Sequence, residues 1–274
     1  MSETGISKDH KEIIGSAVKY ERDKVPNTFY PLALLFLSHV PIQKGDTVLD
    51  VACGTGIVAR VISEQIDHQG EIVGVDLDQD MIDFAKTKTP ADTSISWHVG
   101  NANSMPFLEN NFFDWAVCQQ GFQFFSDKAG ALNEIYRVLK PNGGLAMVIW
   151  RSITKEGHPY YWAIAEAHRK YVSDAAAEKF TKPAPFYQGN EKDLYTLMQN
   201  AGFVNVHIEN IHLMRKRASL EECVVEEDYA DLDPETRKTV VEYIRKELEP
   251  FRTDEGSAFP YGAHLVIGYK SPAA

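Results

Sequence analysis

The sequence predicts an α/β chain built on a doubly wound, mostly parallel sheet. Three observations carry this. Short apolar runs alternate with helical periodicity over residues 41–150. The first run, Thr47 to Val51, is apolar apart from Asp50, as expected of a strand covered on both faces. It leads directly into Ala52-Cys53-Gly54-Thr55-Gly56, a glycine turn at the strand's carboxyl end, where open α/β sheets take their ligands.

The elements follow in order. Residues 13–40 read as helices, with Leu32, Leu34, Leu35, Phe36 and Leu37 strongly apolar and Pro26 and Pro31 as punctuation. After the glycine turn, Val58, Val61, Ile62 and Ile66 have helical spacing, so the turn opens a helix whose free N–H groups can hold an anionic group. Glu71 to Asp76 is a second strand ending in an acid, twenty residues past Gly56. Trp97 to Ala102 is a third strand end and Phe113 to Gln120 a fourth strand. A helix over Ala129 to Leu139, a turn at Lys140 to Gly144 and a fifth strand at Leu145 to Trp150 complete the alternation. Beyond it, Tyr160 to Tyr171 is helical and aromatic, and residues 182–189 are irregular. Glu191 to Ala201 is a helix ended by Gly202. Strands are expected at Val204 to Met214 and Ala263 to Tyr269, with two acidic helices over 219–250 between them.

Gly54-Thr55-Gly56-Ile57-Val58-Ala59 also fits a dinucleotide-binding pattern. Asp50, four residues earlier, discriminates between the two readings. A carboxylate there repels a pyrophosphate and favours a ligand carrying an ammonium and a sulfonium. S-adenosylmethionine is such a ligand. Asp76 can accept from both ribose hydroxyls, and the Asn101 amide carbonyl can accept from an adenine amino group.

The motifs VLDVACGTG, GVDLDQDMIDFAK, GNANSMPF, FDWAVCQQGFQFF and EIYRVLKPNGGLAMVIW stand in one order across residues 44–150. Together they make the chain resemble class I S-adenosylmethionine-dependent methyltransferases, the group that includes the ubiquinone/menaquinone C-methyltransferases and many small-molecule O- and N-methyltransferases. The resemblance implies a Rossmann-like sheet of seven strands with the last antiparallel, under a helical lid. It implies an N-terminal lid segment at 1–40, a cofactor-binding core at 41–150, a lid insert at 151–190, and the rest of the core at 191–274 with a helical insert at about 219–250. The implied cofactor contacts are Tyr20, Asp50, Ala52, Cys53, Gly54, Asp76, Leu77, Met81, Asn101, Ala102 and Gln119. Tyr20 is placed over the cofactor by this resemblance, and Met81 against the adenine face. Asn101 departs from the family, where an aspartate is frequent.

On the acceptor side, Phe29, Gln120, Gln123, Phe124, Trp150 and Trp162 are candidates, because aromatic inserts fit an apolar or aromatic metabolite. His158 is the first candidate for a general base and His39 the second. The expected reaction is methyl transfer to O, N or C of a small molecule. The alternatives are a cofactor-binding protein that catalyses a non-methyl reaction such as a pericyclic step, arsenite methylation through thiols, and a nicotinamide-dependent reductase, which Asp50 disfavours.

Composition bounds the rest. The chain of 274 residues has a net charge of −11, which argues against nucleic-acid binding. Its length suits one domain or a core plus a cap. No apolar run approaches the roughly 20 residues that span a bilayer, and the amino-terminal residues show no signal-peptide pattern. Cys53, Cys118 and Cys223 make neither a metal motif nor a disulfide framework, so no metal and a cytoplasmic setting are expected. A homodimer is left open.

Overall fold

A computed structural model describes residues 16–181 and 190–273. The first residues of the expected N-terminal helical segment and the irregular loop at 182–189 lie outside the described residues. In chain order the helices are α1 (Ala17–Asp23), α2 (Tyr30–Leu37), α3 (Ile57–Gln65), α4 (Gln79–Lys88), α5 (Lys128–Val138), α6 (Pro159–Tyr171), α7 (Asp174–Thr181), α8 (Glu191–Asn200) and α9 (Pro234–Leu248). The strands are β1 (Thr47–Val51), β2 (Glu71–Asp76), β3 (Ile95–Val99), β4 (Phe113–Gln119), β5 (Leu139–Trp150), β6 (Val204–Arg217), β7 (Arg252–Thr253) and β8 (Gly256–Tyr269). The described residues divide into two compact units, the first made of residues 16–149, 190–210 and 264–273 and the second of 150–181 and 211–263.

The strand order is β3-β2-β1-β4-β5-β8-β6, with β7 paired to β8. β1 pairs in parallel with β2 on one side and with β4 on the other. The chain therefore walks outward from β1 to β3, then returns across β1 to start β4. That reversal opens a crevice beyond the carboxyl ends of β1 and β4, the place where a doubly wound sheet binds ligands. Val48, Leu49 and Val51 are fully buried, which explains why β1 is nearly continuous in apolar residues. β8 runs against β5: Asn142 N–H donates to the Lys270 carbonyl at one end, and Arg151 N–H donates to the Gly262 carbonyl at the other. The α/β architecture with antiparallel last strands is thus as expected, but the described residues hold eight strands rather than seven.

Three local expectations are corrected. The last strand begins at Gly256, not Ala263. Its first half carries Pro260, Gly256 and Gly262, residues that read as breakers, yet alternate side chains Ser257, Phe259 and Tyr261 are buried. Gly256 has φ 129°, and a Cβ there would lie 2.1 Å from the Arg217 carbonyl oxygen, so the tight return from β7 depends on glycine. Second, Lys140 to Gly144 is the irregular start of β5 rather than a free turn. Asn142 sits at φ 66°, and the β4–β5 register shifts between Phe113 and Trp115. Third, residues 219–250 hold one α-helix, α9, preceded by two short 3₁₀ turns (Glu221–Cys223 and Glu226–Tyr229). The helix starts where Asp233 can cap it, accepting from the N–H groups of Glu235 and Thr236, with Pro234 at its first position.

Within the second unit, α6 packs against α7 and against α9. α9 buries Val240, Val241, Ile244 and Leu248. Their i, i+1, i+4 and i+8 spacing is the stripe of an amphipathic helix.

Candidate functional site

The site is built from the end of β1. Asp50 is 1% exposed, and its Oδ2 accepts from the Ala59 N–H of α3 at 3.1 Å. The carboxylate thus ties the strand to the first turn of the helix. Between them the backbone turns left-handed at Ala52 (φ 57°), Gly54 (φ 55°) and Gly56 (φ 81°). Ala52 is the notable one, since a residue with a Cβ enters this region at a cost.

Asp76 ends β2 and grips the same turn. Its Oδ2 accepts from the Gly54 N–H at 2.8 Å, and its Oδ1 from the Asp78 N–H at 2.9 Å. Asp78 in turn caps α4 by accepting from Asp80 N–H. Burial drives the pKa of both acids up, Asp50 to about 8; the Ala59 hydrogen bond opposes this for Asp50. The Asp76 charge adds to the rise at Asp50, and the Asp78 charge adds to the rise at Asp76.

Trp97 packs against the inner side of the turn. It faces Gly74 across the β2–β3 register, and a Cβ on Gly74 would lie 2.3 Å from its ring. A Cβ on Gly56 would lie 2.2 Å from Cη2 of the same ring. The indole Nε1 donates to Thr89 Oγ1 at 2.8 Å, which fixes its plane. The opposite side is different. A Cβ on Gly54 would meet only Tyr20 Cε1, at 4.0 Å. The turn is therefore filled on the Trp97 side and open above Gly54, beneath the Tyr20 ring.

Tyr20 is half-buried and stacks on Phe29 with ring centroids 5.1 Å apart. Burial and the nearby carboxylates push its phenol well above the usual range. Its neighbour Glu21 pairs with Arg60 Nη2 at 2.8 Å, and Arg60 Nη1 donates to the Thr55 carbonyl in the turn. α1 is thus strapped to the glycine turn by a partly buried ion pair. Three buried polar atoms here have no hydrogen-bond partner among the described residues: Glu21 Oε2, Thr55 Oγ1 and Gln119 Oε1. Unsatisfied buried acceptors and hydroxyls beside an open glycine cradle suit a ligand rich in donors.

The other expected cofactor residues fall as follows. Cys53 is buried, its N–H donating to the Val75 carbonyl and its thiol pushed up by burial. Leu77 is half-buried, and Met81 is buried in the first turn of α4. Asn101 is exposed, and its Oδ1 already accepts from the Asn103 N–H at 3.0 Å, while Ala102 is buried. Gln119 ends β4, and its Nε2 donates to the Phe29 carbonyl at 3.0 Å. Gln120 follows at φ 58°, and its Oε1 accepts from Gln123 Nε2 at 2.8 Å. Phe124 closes a short 3₁₀ turn after it. All of these belong to the first unit.

The acceptor-side candidates Trp150, His158 and Trp162 belong to the second unit. Trp150 and His158 are buried with Tyr261, whose ring centroid lies 6.1 Å from Trp150 and 5.5 Å from His158. Trp162 is half-buried under the Lys155 ammonium, 4.7 Å from the ring centroid. Burial lowers the His158 pKa to about 4, so its imidazole is neutral at pH 7 and a weak proton acceptor. His39 is exposed at the end of α2, with Nδ1 2.8 Å from the Leu35 carbonyl and Nε2 3.6 Å from Glu209. Among the described residues no group of three or more His, Cys, Asp or Glu is placed to hold a metal ion, and no helix is long and apolar enough to cross a membrane.

Sequence reasoning missed Trp97, Arg60, Glu21 and Tyr261. Arg60 stood four residues past Gly56, one helical turn on, and Glu21 stood beside Tyr20, so spacing could have suggested the strap. Trp97 could have been found from glycines at 56 and 74 only by knowing the β2–β3 register.

Comparison with known proteins agrees with this geometry. Residues 49–147 match the model of a family described as "Methyltransferase domain". The chain is similar to demethylmenaquinone methyltransferase of Staphylococcus aureus (strain JH9), 29% identical over 178 residues covering 62% of this chain and 72% of that protein. In structure it resembles a chain of the Haloferax volcanii complex between the Trm112 methyltransferase activator and a methyltransferase, with a TM-score of 0.60 at 19% identity over 94% of this chain and 96% of that one. It also resembles Haemonchus contortus phosphoethanolamine N-methyltransferase 2 with S-adenosyl-L-methionine, with a TM-score of 0.59 at 17% identity over 97% of this chain and 61% of that one. Fold, glycine turn and these matches define an enzyme that uses a phosphate-free nucleoside cofactor on a Rossmann-like sheet. The chain is a class I S-adenosylmethionine-dependent methyltransferase, and S-adenosylmethionine is its cofactor.

Proposed function

We propose that the enzyme transfers a methyl group to O, N or C of a small apolar or aromatic acceptor by in-line displacement. The observation that carries this is the glycine turn open above Gly54 between the Tyr20 ring and the Asp76 carboxylate. Bound S-adenosylmethionine supplies an activated methyl group on a good leaving group.

This chain's residues do the rest by holding and enclosing. Asp76 holds the turn through its backbone bonds, and its remaining acceptor capacity takes the ribose hydroxyls. Gly54 lets the backbone approach the cofactor. Tyr20, strapped down through Glu21 and Arg60, covers it. Asp50 acts on the cationic end through its charge rather than by exposed contact, because its carboxylate is buried. Ala52, Cys53, Leu77, Met81, Asn101, Ala102 and Gln119 are assigned to the same pocket wall. Gln120, Gln123, Phe124 and Phe29, all in the first unit, are assigned to the acceptor. His158, neutral at working pH, orients rather than deprotonates. A reaction that destroys a positive charge is not opposed by apolar surroundings, so positioning and exclusion of water suffice for an acidic acceptor.

The similarity to a demethylmenaquinone methyltransferase supports a small, hydrophobic-ring acceptor. The test is incubation with S-adenosylmethionine and a panel of phenols, hydroquinones and aryl amines, with mass spectrometry of both products. A mass gain of one methylene on an acceptor with stoichiometric S-adenosylhomocysteine is expected. Binding of the cofactor with no methylated product from any ring-bearing acceptor would reject methyl transfer to this class.

A further inference from the structure

The second unit carries a cation set among aromatic rings. The guanidinium carbon of Arg215, on β6, lies 4.7 Å from the centroid of Tyr261. Tyr261 is 6% exposed and meets Trp150, His158 and Tyr161 edge-on, with centroids 6.1, 5.5 and 5.7 Å away. Tyr161 also contacts Tyr160, and Tyr160 contacts Phe259, extending the cluster.

Among the arginines of this unit, Arg252 pairs with Glu221 and Glu249, Arg169 pairs with Glu166, and Arg237 and Arg245 donate to backbone carbonyls. Arg215 Nε is buried and has no hydrogen-bond partner, and among the described residues no carboxylate pairs with this guanidinium. Stacking on Tyr261 engages the flat face of the group and leaves its in-plane N–H donors uncommitted. A half-buried guanidinium with uncommitted donors lacks the anion that normally offsets its desolvation. His158 stays neutral beside the same ring, so it neither repels Arg215 nor competes with it for an anion. All this stands in a chain of net charge −11, where a surplus cation among aromatic rings is not a matter of bulk composition.

We propose that the second unit recognises acceptors that join an aromatic ring to an anionic oxygen, carboxylate or phenolate, with the oxygen on the Arg215 guanidinium and the ring against the Tyr261 cluster. The proposal rests on the reading of this enzyme as a methyltransferase of small ring-bearing molecules and names the polar group they carry. Planar, forked donors suit a carboxylate in two parallel hydrogen bonds.

The test uses the whole enzyme saturated with S-adenosylhomocysteine. It is titrated with 4-hydroxybenzoate and with the neutral 4-hydroxybenzamide, by calorimetry and by tryptophan fluorescence, which Trp150 beside Tyr261 should report. The acid is expected to bind at least ten-fold more tightly than the amide. Arg215→Met should abolish that preference, and Arg215→Lys, which keeps a charge without the fork, should retain part of it. Both variants should bind S-adenosylhomocysteine with unchanged affinity and melt within a few degrees of the parent, which separates lost recognition from lost folding. Equal binding of acid and amide by the parent enzyme, or an acid preference that survives in Arg215→Met, overturns the proposal. Failure of the parent to bind S-adenosylhomocysteine would instead strike the methyltransferase reading, and the acid-against-amide comparison without cofactor would still decide the role of Arg215.

Discussion

Replacing Gly56 by alanine tests how the cofactor turn is held. Gly56 has φ 81°, and a Cβ there would sit 2.2 Å from Trp97 Cη2 and 2.9 Å from Cζ2 and Cζ3. Two costs follow. A side chain in left-handed backbone costs about 1–2 kcal/mol. Forcing a methyl group into a filled space costs about 1–3 kcal/mol more. The indole cannot swing away freely, because it is bonded to Thr89 and lies flat on Gly74. Gly56→Ala is thus expected to destabilise by about 2–5 kcal/mol, or roughly 5–20 °C in Tm for a domain of this size. The two costs are separable by a double-mutant cycle with Trp97→Ala. In that background only the backbone cost remains, so the coupling between the sites should be about 1–3 kcal/mol. Denaturant unfolding of the four proteins measures it. If Gly56→Ala costs the same with and without the indole, Trp97 does not support the turn and the argument fails.

Asp76→Ala removes the acceptor for the Gly54 and Asp78 N–H groups together with the proposed ribose contact, and each charge-assisted bond is worth about 1.5–3 kcal/mol. Calorimetry should show the cofactor Kd rising about 10–100-fold or more while far-UV circular dichroism is retained; an unchanged Kd would remove Asp76 from the site. Cofactor binding should release protons. Asp50 in the free enzyme has its pKa raised to about 8, and a cation nearby favours its ionised form, so affinity should rise as pH climbs from 6 towards 8 and level off above. Calorimetry at pH 6.5 in two buffers of different ionisation enthalpy reads this directly, and identical apparent enthalpies would contradict it. Glu21→Gln weakens the strap between α1 and the turn, whose side chains are 18% and 14% exposed for Glu21 and Arg60. It should lower stability by about 1–3 kcal/mol and speed cofactor dissociation in stopped-flow measurements, with little further loss on adding Arg60→Met. Finally, Asp233→Ala should cost about 0.5–2 kcal/mol through the α9 cap alone, leaving cofactor affinity unaltered.

What the sequence disclosed, and what it hid, divides along physical lines. β1, β2 and β4 were legible because strands covered on both faces are uninterrupted apolar runs, and Asp50 and Asp76 stood at their ends. The glycine turn was legible because few residues tolerate its backbone. The first half of β8 was not. Pro260, Gly256 and Gly262 suppress a strand reading, and pairing with β5, β6 and β7 overrides them. The start of α9 was underused: Asp233-Pro234 is a cap followed by a first-turn proline, and it outweighed the acidic run before it. Within the candidate site, sequence reasoning named residues defined by local motif and did not name those defined by neighbours across strands, Trp97 and Tyr261. His158 was singled out for its chemistry, yet the burial that lowers its basicity is a tertiary property that no local pattern announces.

Trp97 has one more consequence. A loop of glycines would ordinarily flicker among many conformers, and a ligand would have to freeze it on arrival. Here a rigid aromatic slab, hydrogen-bonded at its edge, props the loop from beneath before any ligand comes. Little of the association free energy is then lost to ordering the backbone, and the entropy of capture falls mainly on the covering segment around Tyr20. Amide hydrogen exchange should accordingly find Gly54 to Gly56 slow in the free enzyme, with the ligand-dependent change concentrated in α1.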